Sequence, residues 1–481
     1  MTDRRAATHY ERLSFLDNTF LALEGPGNPM HVGATLVFEG GSLVGDDGAV
    51  DIHAIRTFIG ARLQYAPRYR QRLELIPLER HPVWVDDARF DVAFHVQHAA
   101  VPHPGDEEAL AEMAGRFMSQ RLDRAKPLWE VLVVEGLPDG RFAMLSKVHH
   151  CMIDGIGGAD LLRVLLSPSP DDEPGDVGEF EPRPAPSRAQ LFADEVARRV
   201  KAPMEAARSL RRFVDETKEL SEEVRHRLLA MTHTARSGWF SNASQTPING
   251  TIGPNRRIAW LVSDLDEVKA VKDALGGTVN DVVIAAIAGA VRTFLQEDRG
   301  FDVTGLDFRA MVPVSTRDSG ADPSAGSNHV TMWLLDLPVS MGAPADRLAA
   351  VSDATEHLKV SDQALGASLL TQSVSFTPST LLGVAARVAA ATARPFNMTI
   401  TNVPGPQLPL YLYGARLRRI FPMVPLWVNH GLGVALFSYD GKLDWGFGAD
   451  RDLVPDLDRF VDRVRGALDE LAKAAREVAG E

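Results

Sequence analysis

Two kinds of hydrophobic periodicity alternate along the chain. Residues 129–134 and 142–148 are largely apolar and flank a Pro-Asp-Gly turn, so they predict the two strands of a hairpin. Residues 106–121 carry apolar side chains at helical spacing, which predicts an amphipathic helix. The same reasoning predicts strands at 34–38, 258–262, 309–316, 328–337, 397–402, 432–439 and 442–448, and helices at 51–64, 266–275, 278–295, 348–359, 365–393 and 457–478.

One segment interrupts these patterns and divides the chain. Between residues 167 and 187 prolines recur among acidic side chains, which predicts a linker or mobile loop. Residues 188–231 are then charged and helical in pattern; we interpret them as a solvated connecting helix, with contact to an anionic membrane as the alternative. The predicted regions are an N-terminal domain at 1–166, a linker with charged helices at 167–245, and a C-terminal domain at 246–481.

Composition and charge narrow the function classes. The 481 residues, 45% hydrophobic and 24% charged, are ordinary for a soluble globular protein of roughly two to four domains. The net charge of −13 argues against a general nucleic-acid-binding protein. The N-terminus lacks the apolar core of a signal peptide, and the longest apolar run, 282–291, is too short to span a bilayer. We therefore expect a cytoplasmic protein, soluble or peripherally attached to a membrane.

The sequence contains one cysteine, Cys151. A single cysteine excludes an internal disulfide and a cysteine-rich metal site, and it fits a reducing cytoplasm. Because Cys151 follows two histidines, a thiol nucleophile is an alternative to histidine chemistry. Nothing in the flanking residues marks an environment that would lower the thiol pKa, so we do not expect that role.

Candidate chemistry is concentrated where the second hairpin strand ends. His149 and His150 stand at this end, and Asp154 and Gly155 follow in a glycine-rich turn. Adjacent strand residues point to opposite faces, so the two imidazoles cannot easily share one role. Histidine is the natural general base near neutral pH. From these residues alone, a pair of packed core histidines is favoured, and Asp154 could bind backbone amides, an arginine or an imidazole.

The motif His-His-x-x-x-Asp-Gly, with its flanks, resembles the active-site motif of the bacterial wax ester synthase/diacylglycerol acyltransferase family. That family belongs to the CoA-dependent acyltransferases with a chloramphenicol-acetyltransferase-like fold. Condensation domains of peptide synthetases and polyketide-associated acyltransferases share the motif. Further segments resemble the same family in the same order: Pro-Met-His-Val-Gly from Pro29, Pro127-Leu128-Trp129, Asn280-Asp281 and Asn402-Val403-Pro404-Gly405-Pro406.

The resemblance implies two chloramphenicol-acetyltransferase-like α/β domains with the active site at their interface. It implies that His150 takes the proton of the acceptor hydroxyl as this attacks the thioester, while His149 supports the geometry. Asp154 is expected to fix the turn. Asn280 or a backbone amide is expected to bind the oxyanion, and Asp281 to be structural.

The remaining motif residues are assigned to pocket shape and backbone shape. In the resemblance Pro127, Leu128 and Trp129 form a wall of the acyl pocket, with filling of core volume by Trp129 as an equal alternative. Gly155 is grouped with them as substrate-binding. The segment containing Asn402, Pro404 and Gly405 is expected to form a rigid turn between the halves.

The function implied by the resemblance is acyl-CoA-dependent O-acyl transfer. The product would be triacylglycerol from diacylglycerol, wax ester from a long-chain alcohol, or both. No metal or redox cofactor is expected, since acyl-CoA enters as a co-substrate. The expected partners are acyl-CoA, the lipid or alcohol acceptor and, peripherally, the inner membrane face or a lipid inclusion. The alternatives are a carrier-dependent condensation or polyketide-associated acyltransferase, and a non-catalytic lipid-binding protein.

Overall fold

The structure is a computed structural model that describes residues 9–152, 164–171, 180–200, 241–315, 330–360 and 394–480. Within the first three ranges the elements are β1 (Glu11–Arg12), α1 (Phe15–Leu23), β2 (His31–Phe38), α2 (Ile52–Arg62), β3 (Gln71–Leu75), β4 (Pro82–Asp86), α3 (Val92–His95), β5 (Val96–Ala100), α4 (Glu107–Ser119), β6 (Trp129–Glu135), β7 (Phe142–His149) and helix α5 at 188–200.

The second half contributes the remaining elements. They are β8 (Arg256–Asp264), α6 (Leu265–Leu275), α7 (Val279–Thr293), β9 (Arg309–Ser315), β10 (Val330–Asp336), α8 (Pro344–Val360), β11 (Met398–Pro404), β12 (Tyr411–Leu412), β13 (Ala415–Met423), β14 (Leu432–Tyr439), β15 (Lys442–Asp450) and α9 (Leu457–Ala479). Two helical predictions fall outside the described residues: the helix at 365–393, and the part of the segment 188–231 beyond residue 200.

The N-terminal lobe is built on a six-stranded sheet with the order β12-β13-β2-β7-β6-β5. The predicted hairpin is confirmed: β6 and β7 pair antiparallel. On its other side β7 pairs with β2, so that His31 lies opposite His149 at the end of both strands. The sheet therefore brings the two histidine-bearing segments of the sequence together at one edge.

The C-terminal lobe has a second six-stranded sheet, ordered β10-β9-β11-β14-β15-β8. Its core surrounds α7, in which every residue from Val282 to Val291 is buried. Together with its last turns (Val279–Asp298) this helix is long and apolar enough to cross a membrane, but 72% of its apolar window is buried inside the protein. It is the central core helix of this lobe.

The chain crosses back between the lobes after β11. Strand β13 pairs with β2 of the N-terminal sheet, with Met423 opposite Gly33 and Leu417 opposite Phe38. The sheet of the first lobe thus takes strands from beyond residue 246, which the predicted division did not include. The pattern of β13 hides the strand, because three arginines and a register shift between Leu417 and Arg419 break the alternation.

A small three-stranded sheet, ordered β1-β4-β3, takes its strand β3 from the arginine-rich segment at 62–80. From sequence alone, the general expectation for such a run of arginines is a solvated face. For Arg70 that expectation is wrong, because its side chain is buried, donates to the Gly60 carbonyl at 2.8 Å and lies over the Phe180 ring.

Candidate active site

The two histidines of the motif take different positions at the end of β7. His149 is the last strand residue, and its N–H donates to the Leu128 carbonyl at 2.9 Å. His150 begins a short 3-10 turn, and its N–H donates to the Met30 carbonyl at 2.8 Å. His149 is fully buried, whereas His150 keeps part of its surface exposed. The strand ends between the two histidines, which leaves one imidazole buried and the other partly accessible.

The His150 ring stacks on Phe20 of α1, with 3.8 Å between ring centroids. Its Nδ1 atom is buried without a hydrogen bond from another described residue. Burial lowers the pKa of His150 to about 4, so the ring is neutral at physiological pH. A neutral imidazole has one nitrogen that carries no proton. This is the form that a general base requires.

Phe20, which stacks on His150, also approaches the C-terminal lobe. Phe20 lies 6.1 Å from the Trp427 ring, and Trp427 lies 6.2 Å from Phe396. Phe396 belongs to an apolar cluster with Met311 and Leu334. Phe20 thus links the His150 ring to an apolar wall of the C-terminal lobe, close to the boundary between the lobes.

Behind His150, a buried carboxylate faces the other histidines. The Nδ1 atom of His149 accepts the N–H of Cys151 at 3.1 Å, so its proton resides on Nε2. That Nε2 lies 3.6 Å from Oε1 of Glu24, and Nε2 of His31 lies 3.5 Å from the same oxygen. Burial lowers the pKa of His149 to about 3, which keeps the ring neutral.

The second oxygen of Glu24 is held by an arginine. Oε2 accepts from Nε and Nη2 of Arg124, at 3.0 and 2.6 Å, and Nη2 also donates to the Leu21 carbonyl. Burial alone would raise the pKa of Glu24, but His31, His149 and Arg124 outweigh it and hold the pKa at about 2. Glu24 is therefore a buried anion. We did not single it out from the sequence, where it is a lone carboxylate five residues before Pro29.

The Pro127-Leu128-Trp129 segment lies in the core of the N-terminal lobe. All three residues are buried, and the Trp129 indole donates to the Tyr69 carbonyl at 2.8 Å and stacks on His95. The structure therefore favours core filling over a pocket wall for Trp129. Leu128 reaches the site through its backbone, as the acceptor for His149.

Comparisons with known proteins agree with this site. Residues 13–283 match the model of the wax ester synthase/diacylglycerol acyltransferase catalytic domain, and residues 326–472 match the C-terminal domain of the same family. A putative diacylglycerol O-acyltransferase of Mycobacterium tuberculosis is 35% identical over 479 residues, covering 97% of this chain and 91% of the relative. The chain belongs to the wax ester synthase/diacylglycerol acyltransferase family.

Solved structures support the same assignment. The wax ester synthase/diacylglycerol acyltransferase from Marinobacter aquaeolei VT8 is similar with a TM-score of 0.66 and 28% identity, covering 96% of this chain and 99% of that one. A starter condensation domain of rhizomide synthetase has a TM-score of 0.58 at 14% identity and shares the fold. The predicted chloramphenicol-acetyltransferase-like α/β fold of two lobes is thereby confirmed.

Other family motif residues lie outside the described residues or away from the histidines. Asp154 and Gly155 fall in the range 153–163, which the structure does not describe. Asn280 lies in the first turn of α7 and, within the described ranges, makes no hydrogen bond or ring contact to His149 or His150. Its proposed contact with the oxyanion stays a prediction.

Asp281 completes a capping box at the start of α7. Its Oδ2 accepts from the N–H and hydroxyl of Thr278, both at 2.8 Å, and its Oδ1 accepts from the Thr355 hydroxyl. The carboxylate also lies at the positive end of the helix dipole. This geometry is that of a structural residue.

The Asn-Val-Pro-Gly-Pro motif shapes the point where the chain leaves the C-terminal sheet. Asn402 and Pro404 lie in β11, and Gly405 donates its N–H to the Ser438 hydroxyl at 3.1 Å. A side chain at residue 405 would overlap the Phe437 ring and the Ser438 carbonyl, so the position requires glycine. The motif therefore begins the crossover towards β12.

The thiol alternative finds little support at this site. Cys151 is buried, and burial raises its thiol pKa well above the ordinary value, which opposes formation of a thiolate nucleophile. Among the described residues, no group of three histidine, cysteine, aspartate or glutamate side chains is placed to hold a metal ion.

Proposed function

We propose that this chain transfers a fatty acyl group from acyl-CoA to the hydroxyl of diacylglycerol, and also of long-chain alcohols, with His150 as the general base. The observation that carries the proposal is the neutral, partly exposed His150 ring at the boundary of the lobes. Nε2 takes the proton of the acceptor hydroxyl as its oxygen attacks the thioester carbonyl. The tetrahedral intermediate then collapses to the ester, and the CoA thiolate leaves with that proton as free thiol.

The rate enhancements expected from these groups are sufficient for an enzyme of this type. A positioned general base contributes about 10²–10⁴-fold, and one oxyanion donor about 10²–10³-fold. Asn280 or a backbone amide is our candidate for that donor, and Asp154 for fixing the turn. Neither a metal nor a redox cofactor takes part in these steps.

The apolar wall that Phe20 approaches supports a long-chain substrate. Met311, Met332, Leu334, Phe396 and Trp427 form one cluster there. Burial of a methylene group contributes about 0.8 kcal/mol, so each carbon of a chain against this wall adds to binding. Methionine side chains adapt to irregular chains, which fits acceptors of more than one shape.

The names of the relatives favour diacylglycerol as the first acceptor to test. A probable diacylglycerol O-acyltransferase of Mycobacterium tuberculosis is 34% identical over 468 residues, while the Marinobacter protein is named for both wax ester and diacylglycerol chemistry.

Product analysis tests this function directly. Purified protein receives palmitoyl-CoA with dioleoylglycerol or with hexadecanol, and free thiol and neutral lipids are measured. We expect thiol release that depends on the acceptor, with triacylglycerol exceeding wax ester. Absence of acceptor-dependent release with free palmitoyl-CoA, together with turnover of a carrier-bound acyl group, would instead support the condensation-type alternative.

We further propose that the protein works at the cytoplasmic face of a membrane or lipid inclusion. Leu78 is 84% exposed, and it lines a shallow groove together with the start of α5. Arg80 and Arg188 border this groove, are exposed, and make no ion pair within the described residues. Phe192 and Val196 continue the apolar surface along α5. Apolar side chains bordered by free arginines suit an anionic lipid surface.

Vesicle sedimentation tests the membrane contact. The double variant Leu78→Asp, Phe192→Asp should lose binding to phosphatidylglycerol vesicles, whereas Leu408→Asp, on another exposed segment, should not. Equal binding of wild type and both variants would contradict a contact through this surface.

A further inference from the structure

We infer that Glu24 is a positioning residue for the reaction: it fixes the tautomer of His149 and thereby the turn that carries His150. This inference rests on the proposed role of His150. Glu24 touches neither reacting group; it acts through a neighbouring ring. Three contacts within the N-terminal lobe support it.

In the first contact, the two oxygens of the Glu24 carboxylate face different partners. Arg124 donates twice to Oε2, which leaves Oε1 turned toward the rings of His31 and His149. The Glu24 side chain is only 2% exposed, so water does not supply donors to Oε1. An ionised carboxylate accepts hydrogen bonds and cannot donate them. His149 Nε2 lies 3.6 Å from Oε1 and makes no hydrogen bond to it, but the negative charge of the carboxylate favours a proton on that nitrogen.

The second contact transmits this choice to the catalytic turn. With the proton on Nε2, the His149 Nδ1 atom keeps a lone pair and accepts the Cys151 N–H at 3.1 Å. Cys151 is the second residue of the turn that His150 begins. The N–H of His150 is itself held by the Met30 carbonyl. The turn is thus fixed at both of its first two residues, and one of these bonds exists only in one tautomer of His149.

The third contact places the ring that stacks on the base. Glu24 is the C-cap of α1, and its N–H donates to the Phe20 carbonyl at 3.1 Å. Phe20 is the residue that stacks on His150. Because Arg124 bonds both Glu24 and the Leu21 carbonyl, it anchors the end of the same helix. The carboxylate thus faces His149 directly, and through Arg124 it is tied to the end of the helix that carries Phe20.

Glu24→Gln is the decisive variant because it keeps the volume and changes the hydrogen bonding. The carboxamide has one acceptor and one donor end. Arg124 retains the oxygen, so the amide NH₂ turns toward His149 and opposes a proton on Nε2. We expect the ring to move to the Nδ1-protonated tautomer and to lose its bond from Cys151.

The expected kinetic result is a fall in kcat of about 10- to 100-fold, since misplacing a catalytic group by about 1 Å can cost 10²-fold. The KM for palmitoyl-CoA should stay within a factor of about three, because Glu24 lies behind the histidines. Glu24→Asp keeps an acceptor-only anion and should retain the wild-type tautomer. Thermal unfolding is followed for each variant.

Nitrogen NMR of ¹⁵N-histidine-labelled protein reads the tautomer without depending on turnover. We expect unprotonated Nδ1 and protonated Nε2 at His149 in the wild type, and the reverse in Glu24→Gln. The signal is assigned by comparison with His149→Gln. An unchanged tautomer in folded Glu24→Gln, or an unchanged kcat, would overturn the inference.

Glu195→Gln is the matched control. Glu195 is also a buried carboxylate held by arginines, Arg12 and Arg198, but it lies on α5 against the small sheet. This variant should lower stability and leave kcat and the His149 tautomer unchanged. Failure of the proposed function and failure of this inference give different results. If the proposed function is wrong, the wild-type protein shows no acceptor-dependent thiol release. If only this inference is wrong, wild-type turnover is intact.

Discussion

The two lobes contain sheets of the same size but bury different side chains beside them. In the N-terminal lobe the ends of β2 and β7 enclose His31, His149 and Glu24. In the C-terminal lobe the sheet packs on α7. The buried stretch of this helix from Val282 to Val291 is apolar, and the buried Asp281 before it belongs to the helix cap. Burying polar groups costs free energy, and burying apolar groups supplies it. The first lobe thus places the reacting ring, while the second contributes packing and an apolar wall.

Two buried carboxylates sharpen this contrast. Glu24 has two bonds from Arg124 and two facing imidazoles, and its pKa is held at about 2. Asp444 of β15 accepts one backbone hydrogen bond, from the Ile420 N–H at 2.8 Å. Its Oδ1 accepts no hydrogen bond, and the nearest cation, Nε of Arg419, lies 3.8 Å from that oxygen. Burial therefore raises the pKa of Asp444 to about 7. The number of donors decides whether a buried acid stays ionised.

The largest expected effect is on the reacting ring of the first lobe. His150→Ala should lower acceptor-dependent thiol release by about 10²–10⁴-fold, because the general base is lost. Its thermal unfolding temperature should stay close to that of the wild type, since the ring is partly exposed. Folded protein that retains turnover within about threefold of the wild type would contradict the assignment.

A cavity-forming substitution in the second lobe should lower stability and leave turnover unchanged. Ile284 of α7 is fully buried, so Ile284→Ala should lower the free energy of unfolding by about 2–5 kcal/mol. At 25 °C, kcat should be unchanged while the variant remains folded. Val478→Ala, at an exposed position of α9, is the control and should change neither quantity. A loss of kcat like that of His150→Ala would show that the division between the lobes is wrong.

Acid should weaken the first lobe through its buried neutral rings. The pKa values of His149 and His150 are lowered to about 3 and 4, so these rings bind protons in the unfolded state before they do in the folded state. The free energy of unfolding should therefore fall as pH decreases from about 6.5 toward 4, and further as Glu24 is protonated toward pH 2. Urea denaturation at pH 7.5, 6 and 5 measures this. Equal stability at all three would contradict it.

The smallest expected effect concerns Asp444. Its raised pKa means that the folded protein retains a proton which the unfolded chain has lost, so its contribution to stability falls as pH rises from about 4 to about 7. Asp444→Asn does not titrate. Relative to the wild type, this variant should gain about 1 kcal/mol or more between pH 5 and pH 8. A difference that is independent of pH would mean that Asp444 ionises normally.

The elements that sequence predicts well are those set by local pattern. The hairpin of β6 and β7 and the helix α7 lie within a few residues of their predicted bounds, because turn residues, a cap and periodicity mark them. Strand β13 was missed because its partner β2 is far away in sequence and a register shift breaks its pattern.

The candidate site, too, was predictable from sequence only where a local motif marks its residues. The motif located His149 and His150, but Glu24 depends on Arg124, 100 residues away, and on two strands that meet only in the fold. Trp129 could not be decided from sequence, because an aromatic in a core and one in a pocket wall have the same flanks. Only its bond to Tyr69 and its stacking on His95 separate the two.

Chemical rescue tests the central claim most directly. His150→Ala protein is assayed for thiol release from palmitoyl-CoA and dioleoylglycerol with increasing imidazole. We predict that release returns in proportion to the concentration of neutral imidazole and that the wild type does not respond. Folded His150→Ala protein that turns over at the wild-type rate without imidazole would contradict the account.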